Sequence, residues 1–300
     1  MIFEFKQSGI QLQLTTTGRL KVLLDFDSLE KLLPKLREQY QGASPFPHIV
    51  LDDFFPTDVE AAAEAEFPPF DPSVWLSYTH VNERKFANRD PKTWGETLKL
   101  ILADLQSPRF VEFLRNLTGI KDLIIDESLE GGGLHQTARG GFLNIHADFT
   151  VHPKHRDWSR RVNLLLYLNG EWPEEYGGAL ELWSKNMKHR EQVIAPLGNR
   201  VLIFNTDADA FHGHPHPLTS PLTDARRSLA LYYFTVEDAP TIRSTEYRAR
   251  PDDGARGVLI WLDKIVVRVY DQTKRRLHMS DEVGSKILKV VDRVMHPRGN

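Results

Sequence analysis

Apolar and polar residues alternate most regularly over 140–151, GGFLNIHADFTV. A period of two is the signature of a half-buried strand. Successive strand side chains point opposite ways, so Phe142, Asn144, His146 and Asp148 share one face and Leu143, Ile145, Ala147 and Phe149 the other. Strand-like runs recur over 161–168, 179–183, 192–194, 200–205 and 226–236, with Asn169-Gly170, Gly177-Gly178 and Gly198-Asn199 as turns between them. Short strands at near-regular spacing predict an all-β barrel or a double-sheet jelly roll.

Upstream the pattern is mixed. Residues 1–24 alternate around Thr17-Gly18 and predict a hairpin. Residues 28–41 predict a helix, with Ser28 as N-cap and Pro34 as a kink or restart. A buried strand is expected over 49–51, and Thr57-x-x-Glu60 has the capping-box pattern ahead of an Ala-rich helix over 58–65. Segment 68–88 is aromatic and irregular and carries no assignment. Helical spacing returns over 94–105 and 108–117, and Gly131-Gly132-Gly133 reads as a loop. Toward the C-terminus, 260–269 fits helix or strand and 281–295 fits a helix capped by Ser280. The expected architecture is mainly β with flanking helices. Residues 1–240 form one domain with its core over 122–236, and 241–300 a partly helical extension.

Composition changes this picture mostly by exclusion. The 300 residues are 41% hydrophobic and 26% charged, ordinary for a soluble globular chain. A net charge of −3 gives no bulk reason to expect nucleic acid or an anionic membrane as partner. No apolar run approaches the roughly 20 residues that span a bilayer. MIFEFKQSG lacks the basic and apolar regions of a secretory leader, so a cytoplasmic location is expected. The absence of cysteine removes disulfides, thiolate metal sites and Cys nucleophiles, and Asn116-Leu117-Thr118 is read as a chance glycosylation pattern. Histidine is the informative residue, with 12 copies, several of them between 135 and 216.

His146 and Asp148, one residue apart on a strand, aim an imidazole and a carboxylate in the same direction. A third ligand completes a 2-His-1-carboxylate set of the kind that holds non-haem Fe(II). FHGHPHPL offers His212, His214 and His216. Iron held this way keeps one face open, where a 2-oxo acid can bind. The far carboxylate of 2-oxoglutarate then requires a cation, best a bidentate Arg. Arg226-Arg227-Ser228 supplies two. Arg226 shares its strand face with Ser228, Ala230 and Tyr232, which leaves room for an acid, whereas Arg227 shares its face with Leu229, Leu231 and Tyr233. Arg226 is therefore the candidate anchor, with Ser228 able to add a hydrogen bond to the same carboxylate. Asn144, on the metal face, is a candidate contact to cosubstrate or substrate, weighed evenly against a structural hydrogen bond.

His146-x-Asp148, His212 and Arg226-x-Ser228, set in GGFLNIHADF, LLLYLNGEW, YGGALELW, LGNRVLIFNT and RRSLALYYFT, resemble the 2-oxoglutarate/Fe(II)-dependent dioxygenases of the prolyl 4-hydroxylase-like group. The likeness covers about residues 122–236, with PFPHIVLDDFFP matching more loosely. It implies a double-stranded β-helix, Fe(II), 2-oxoglutarate and O2 as cofactor and cosubstrates, ascorbate as a candidate reductant, and release of succinate and CO2. It selects His212, the histidine before Gly213, as third ligand. A carboxylate at 148, where the group's halogenases carry a small residue, implies hydroxylation of a C–H bond in a peptide residue, an amino acid or a small metabolite.

His135, His152, His155 and His189 are expected to be exposed or structurally satisfied, and His214 and His216 to be loop residues. Tyr167 and Asn163 share a face and are read as core first, cosubstrate contacts second. Trp172, Tyr176 and Trp183 are read as packing, and Lys274-Arg275-Arg276 as a solvated cluster. Substrate contacts are sought in 68–92 and 152–160. Two other classes compete: a cupin-like metal enzyme that needs no keto acid and hence no Arg226, and a non-catalytic 2-oxoglutarate or oxygen sensor. Oligomeric state is left open.

Overall fold

In the computed structural model the described residues are 22–254, 257 and 260. Four α-helices lie in the N-terminal part of the described chain, interleaved with the first three strands: α1 (Phe26–Gly42), α2 (Thr57–Ala65), α3 (Glu96–Leu105) and α4 (Pro108–Thr118). The strands are β1 (His48–Leu51), β2 (Leu76–His80), β3 (Glu83–Asn88), β4 (Ile124–Ile125), β5 (Gly133–Thr137), β6 (Phe142–Ala147), β7 (Trp158–Tyr167), β8 (Leu180–Trp183), β9 (Arg190–Ile194), β10 (Val201–Asn205), β11 (His212–His214), β12 (Arg226–Val236) and β13 (Glu246–Tyr247).

Among the described residues the strands form one curled antiparallel sheet in the order β1-β10-β7-β12-β5-β3-β6-β11-β8-β9. β3 bonds to β5 through Phe86–Asn88 and to β6 through Glu83 and Arg84, so it carries the sheet round from one layer to the other. The result is the double-stranded β-helix. The helices cover the outer face of β10, β7 and β12. There Leu98, Ile101, Phe110 and Leu114 pack with Leu164, Leu166, Ile203, Leu231 and Tyr233 in the main apolar core. Tyr233 also donates its hydroxyl to Leu105 O at 2.8 Å, tying β12 to α3. No helix of the described residues is long and apolar enough to cross a membrane.

Helix ends follow local chemistry, and two differ from expectation. Ser107 caps α4 through Phe110 N, Pro108 occupies its first turn, and Gly119 ends it in the left-handed region. The cap of α1 is Asp25, which accepts from Ser28 N; Ser28 lies inside the helix, and Pro34 is accommodated without a break. The Thr57/Glu60 capping box does not form. Pro56 stands at the cap, with no side-chain bond, and Thr57 begins the helix.

The segment left unassigned over 68–88 contains the β2–β3 hairpin, the expected Gly131–133 loop ends in strand β5, and the HGH stretch forms β11. The hairpin expected over 1–24 lies outside the described residues except for its end. There Leu23 and Leu24 donate backbone N–H groups to Asp104 Oδ2 at 2.7 and 2.9 Å. The elements expected over 260–269 and 281–295 and the cluster at Lys274 lie outside the described residues, Ile260 apart.

Strict alternation fails in β6. His212 stands opposite His146, yet His214 stands opposite Leu143, so three steps along β6 match two along β11. One extra residue in a strand is a β-bulge, and it changes which residues share a face. His146 therefore shares its face with Leu143, and Asn144 falls out of phase with it. A second bulge sits in β7: Tyr233 faces Val162, but Phe234 faces Arg160. Counting back from Tyr167 by twos would turn Arg161 inward. The bulge turns Arg160 inward instead.

Candidate active site

His146 comes near the end of β6, Asp148 just past it, and His212 at the start of β11 directly across the ladder. Their ligand atoms lie within 4.8 Å of one another. His146 Nε2 is 3.4 Å from Asp148 Oδ1, and His212 Nε2 is 4.0 Å from Asp148 Oδ2. Each imidazole has its other nitrogen occupied: Nδ1 of His146 faces Asn144 O at 2.9 Å, and Nδ1 of His212 faces Ala210 O at 2.9 Å. An Nδ1–H donated to a carbonyl leaves the Nε2 lone pair free and aimed, which is the arrangement of metal-binding histidines. Burial, then the neighbouring His146, pushes His212 down to about 4, so it is a neutral ligand at neutral pH. Two imidazole Nε2 atoms and one carboxylate oxygen brought together in this way suit an octahedral divalent iron with an open face. His214 lies one step further along the ladder, opposite Leu143, and His216 is exposed and bonded to Arg250; neither joins the triad. Gly213 lets the backbones close up here, since a Cβ would meet Leu143 O at 2.7 Å and Asn144 O at 2.8 Å.

Arg160 ends the stretch 152–160 in which substrate contacts are expected, but its pattern gives it no role at the metal ligands. Its side chain is fully buried, and its Nη1 lies 3.2 Å from Asp148 Oδ2. The guanidinium is sandwiched between Phe149 and Tyr232, 3.6 Å from each ring centroid. Asn163 donates Nδ2 to the same carboxylate oxygen at 3.4 Å. Burial alone would raise the Asp148 carboxyl, but Arg160, with the two histidines, holds it far below the usual carboxylate range. Oδ2 thus lies against Arg160 as an ion pair without a hydrogen bond, and Oδ1 is on the His146 side. The signal for Arg160 was the Arg160-Arg161 pair on a strand, and the bulge hid which member faces in.

Arg226, opposite Thr137 on β5, sits at the other end of the same interior. Its Nε donates to Gly178 O at 2.8 Å and its Nη2 to the Tyr167 hydroxyl at 3.2 Å. Both contacts are neutral. Gly178, at φ +76°, makes room, since a Cβ would lie 3.0 Å from Arg226 Cδ. No carboxylate among the described residues pairs with this buried cation. Burial draws its pKa down, the expected response of a charge lacking a partner. Ser228 shares its face and is buried. Tyr167 stands opposite Ser228 and is part of this pocket wall as well as of the core. Asn144 spends its amide on Asn82 Oδ1 at 2.9 Å and Val81 O at 3.4 Å, so the structural alternative accounts for it.

The remaining histidines divide. His152 is buried against Asp126 at 3.3 Å and accepts backbone N–H bonds from Lys154 and His155, stitching the loop after the triad strand. His155 stacks on Trp158, and His189 is exposed. His135, on β5, faces Gly132 O at 3.3 Å. His214 is not a loop histidine: it lies on β11, and its Nδ1 is buried with no hydrogen-bond partner.

The fold and this donor set define a jelly-roll oxygenase of the 2-His-1-carboxylate type. Residues 132–234 match the family profile described as the 2OG-Fe(II) oxygenase superfamily. A search of curated proteins finds no match. Among solved structures, a Trichoplax adhaerens prolyl hydroxylase in complex with a hypoxia inducible factor peptide is 16% identical. It covers 70% of this chain and 91% of its own at a TM-score of 0.51. A Pseudomonas putida prolyl-4-hydroxylase is 18% identical over 68% of this chain and 100% of its own, at 0.48. HygX from Streptomyces hygroscopicus, with nickel and 2-oxoglutarate bound, is 16% identical over 74% and 93%, at 0.43. At such identity the likeness is one of fold. The chain carries a 2OG-Fe(II) oxygenase domain, prolyl 4-hydroxylase-like in architecture, and is a 2-oxoglutarate-dependent iron oxygenase.

Proposed function

We propose that this oxygenase hydroxylates an unactivated C–H bond, with His146, Asp148 and His212 as iron ligands and Arg226 as anchor for the distal carboxylate of 2-oxoglutarate. The observation that carries the reading is the pairing of two unsatisfied sites in one interior. One is a buried His-Asp-His cluster with free ligand atoms, and the other a buried guanidinium with no acid partner. Bound iron would supply the oxidation with O2 as oxidant and 2-oxoglutarate as co-substrate, one oxygen atom going to the C–H bond and the other to the succinate formed with loss of CO2. The protein's part is geometric and electrostatic. Backbone carbonyls hold the imidazoles, Arg160 and Asn163 hold one carboxylate oxygen, and Ser228 and the Tyr167 hydroxyl flank the anchoring arginine.

A carboxylate at position 148 fills the third ligand place, which favours hydroxylation over halogenation. The C–H donor is a peptide residue, a free amino acid or a small metabolite. Residues 1–240 form the oxygenase unit in this reading, and 241–300 an extension whose β13 flanks β6. The test is succinate release from 2-oxoglutarate across a panel of peptides, amino acids and cell-extract fractions. Turnover in wild type that disappears in Arg226→Met separates this reading from a keto-acid-independent metal enzyme. Absence of substrate-stimulated succinate over the whole panel would count for a sensor.

A further inference from the structure

The rungs around Arg226 hold a second cation. On one rung Ala87 stands opposite His135, His135 opposite Ser228, and Ser228 opposite Tyr167. One rung further, Arg226 stands opposite Thr137. Alternation along β3 places Lys85 on the same face as Ala87 and level with Thr137 and Arg226. Two strand spacings put the backbones of Lys85 and Arg226 about 10 Å apart, within the combined reach of the two side chains. Lys85 Nζ lies 3.2 Å from Glu83 Oε2, and His80 Nε2 lies 3.0 Å from Glu83 Oε1. All three side chains are largely buried.

A buried Lys–Glu pair contributes little net stability, because desolvation offsets its attraction. The fold therefore gives no account of placing this pair on the interior face. Its electrostatics suit an anion. Burial would raise Glu83, but Lys85 and His80 outweigh it and keep the carboxylate ionised and its charge spent. Burial, reinforced by Lys85, pushes His135 down to about 3 and keeps its imidazole neutral. Nζ also lies 5.7 Å from the Tyr78 ring centroid, and Glu83 is the carboxylate paired with it among the described residues. An ammonium carries three N–H groups, so N–H groups remain for an anion between Lys85 and Arg226.

We infer that Lys85, positioned by Glu83 and His80, is a second anchor for the distal carboxylate of 2-oxoglutarate and acts beside Arg226. This rests on the reading of Arg226 given above. The experiment compares equilibrium binding of 2-oxoglutarate with that of 2-oxopentanoate, the same five-carbon keto acid without the distal carboxylate. Both are titrated calorimetrically into anaerobic Fe(II) protein. Wild type prefers the diacid. Lys85→Met reduces that preference about 10-fold by weakening the diacid alone, the scale of one charge-assisted hydrogen bond. Lys85→Arg restores most of it.

Because Lys85→Met strands a buried carboxylate, the double variant Glu83→Gln/Lys85→Met, which removes both charges, is measured alongside and shows the same loss of preference. Equal weakening of both acids, or an unchanged preference in both variants while Arg226→Met abolishes it, overturns the inference and leaves the Arg226 reading standing. A wild type with no preference for the diacid overturns both.

Discussion

Along β7 and β12, Val162, Leu164, Leu166, Leu229, Leu231 and Tyr233 turn outward into the helices, where no charge is buried among them. From the same two strands Arg160, Asn163, Tyr167, Arg226, Ser228 and Tyr232 turn inward, and two of these six carry charge. The outer face is satisfied by apolar contact and by the Tyr233 hydroxyl's bond to Leu105 O. The inner face leaves a guanidinium without an acid, a histidine nitrogen without a partner and three ligand atoms within 4.8 Å of one another. A buried polar group without a partner costs free energy, so the inner face is stabilised by what it binds and the outer face by folding itself.

The comparison breaks most sharply at the triad. Asp148→Ala is expected to abolish Fe(II) binding by calorimetry and to take turnover below detection. It should also cost about 3–5 kcal/mol of apo stability, because it strands the buried Arg160 guanidinium, whereas Asp148→Ala/Arg160→Met, which removes both charges, should melt close to the wild-type apo protein. A large loss of apo stability in the double variant would sink the division of labour between the faces. On the outer face Leu164→Ala should do the reverse. Its side chain is fully buried in the main core, so it should lose about 2–5 kcal/mol in denaturant unfolding while the folded fraction still binds Fe(II) normally.

Much of this division was legible in the chain. The strand over 226–236 was placed at both ends, and alternation along it chose Arg226 over Arg227 as the inward arginine. That worked because the β12 ladder is regular from Arg226 to Tyr233. Where a ladder is irregular the same argument fails. The bulge in β6 put Asn144 out of phase with His146, and the bulge in β7 hid Arg160. The β2–β3 hairpin was missed for another reason. SYTHVNERKFAN carries polar inward positions, His80, Glu83 and Lys85, so it lacks the apolar alternation by which a strand is recognised.

Arg160 sharpens the comparison, since it is a charge on the inner face that is partly satisfied within the protein. Arg160→Met keeps the bulk between Phe149 and Tyr232 and removes the cation beside Asp148. The expected result is Fe(II) affinity about 10–100-fold weaker, the usual cost of losing a group that orients a metal ligand, with a metal-free fold that still melts cooperatively. Unaltered iron affinity would remove Arg160 from the site's machinery.

The inner histidines make the metal-free protein sensitive to acid. His135 is held near 3 and His212 near 4, both below the ordinary value of 6.5. The unfolded chain therefore binds more protons than the folded one below pH 6.5. Stability is fully present above that pH and falls as pH drops toward 4, with a slope of up to about 1.4 kcal/mol per pH unit per histidine. Apo protein unfolded in urea at pH 7, 6 and 5 should show the decline, and His135→Gln should reduce the slope by close to one proton. An unchanged slope would mean that His135 does not titrate on unfolding.

The smallest effect is expected one residue along from Arg160. Arg161 points outward past the bulge and meets Glu237 at 3.2 Å, with both side chains more than a third exposed. An exposed pair of this kind contributes about 0–1 kcal/mol. Arg161→Met should therefore leave Fe(II) affinity unchanged and shift unfolding by less than about 1 kcal/mol. Adjacent arginines with the same chemistry would then differ by an order of magnitude or more in iron binding, solely because one extra residue in β7 decides which of them faces Asp148. If Arg161→Met weakened iron as much as Arg160→Met, long-range charge and not the bulge would set the difference, and the inner and outer faces would not be electrostatically separate.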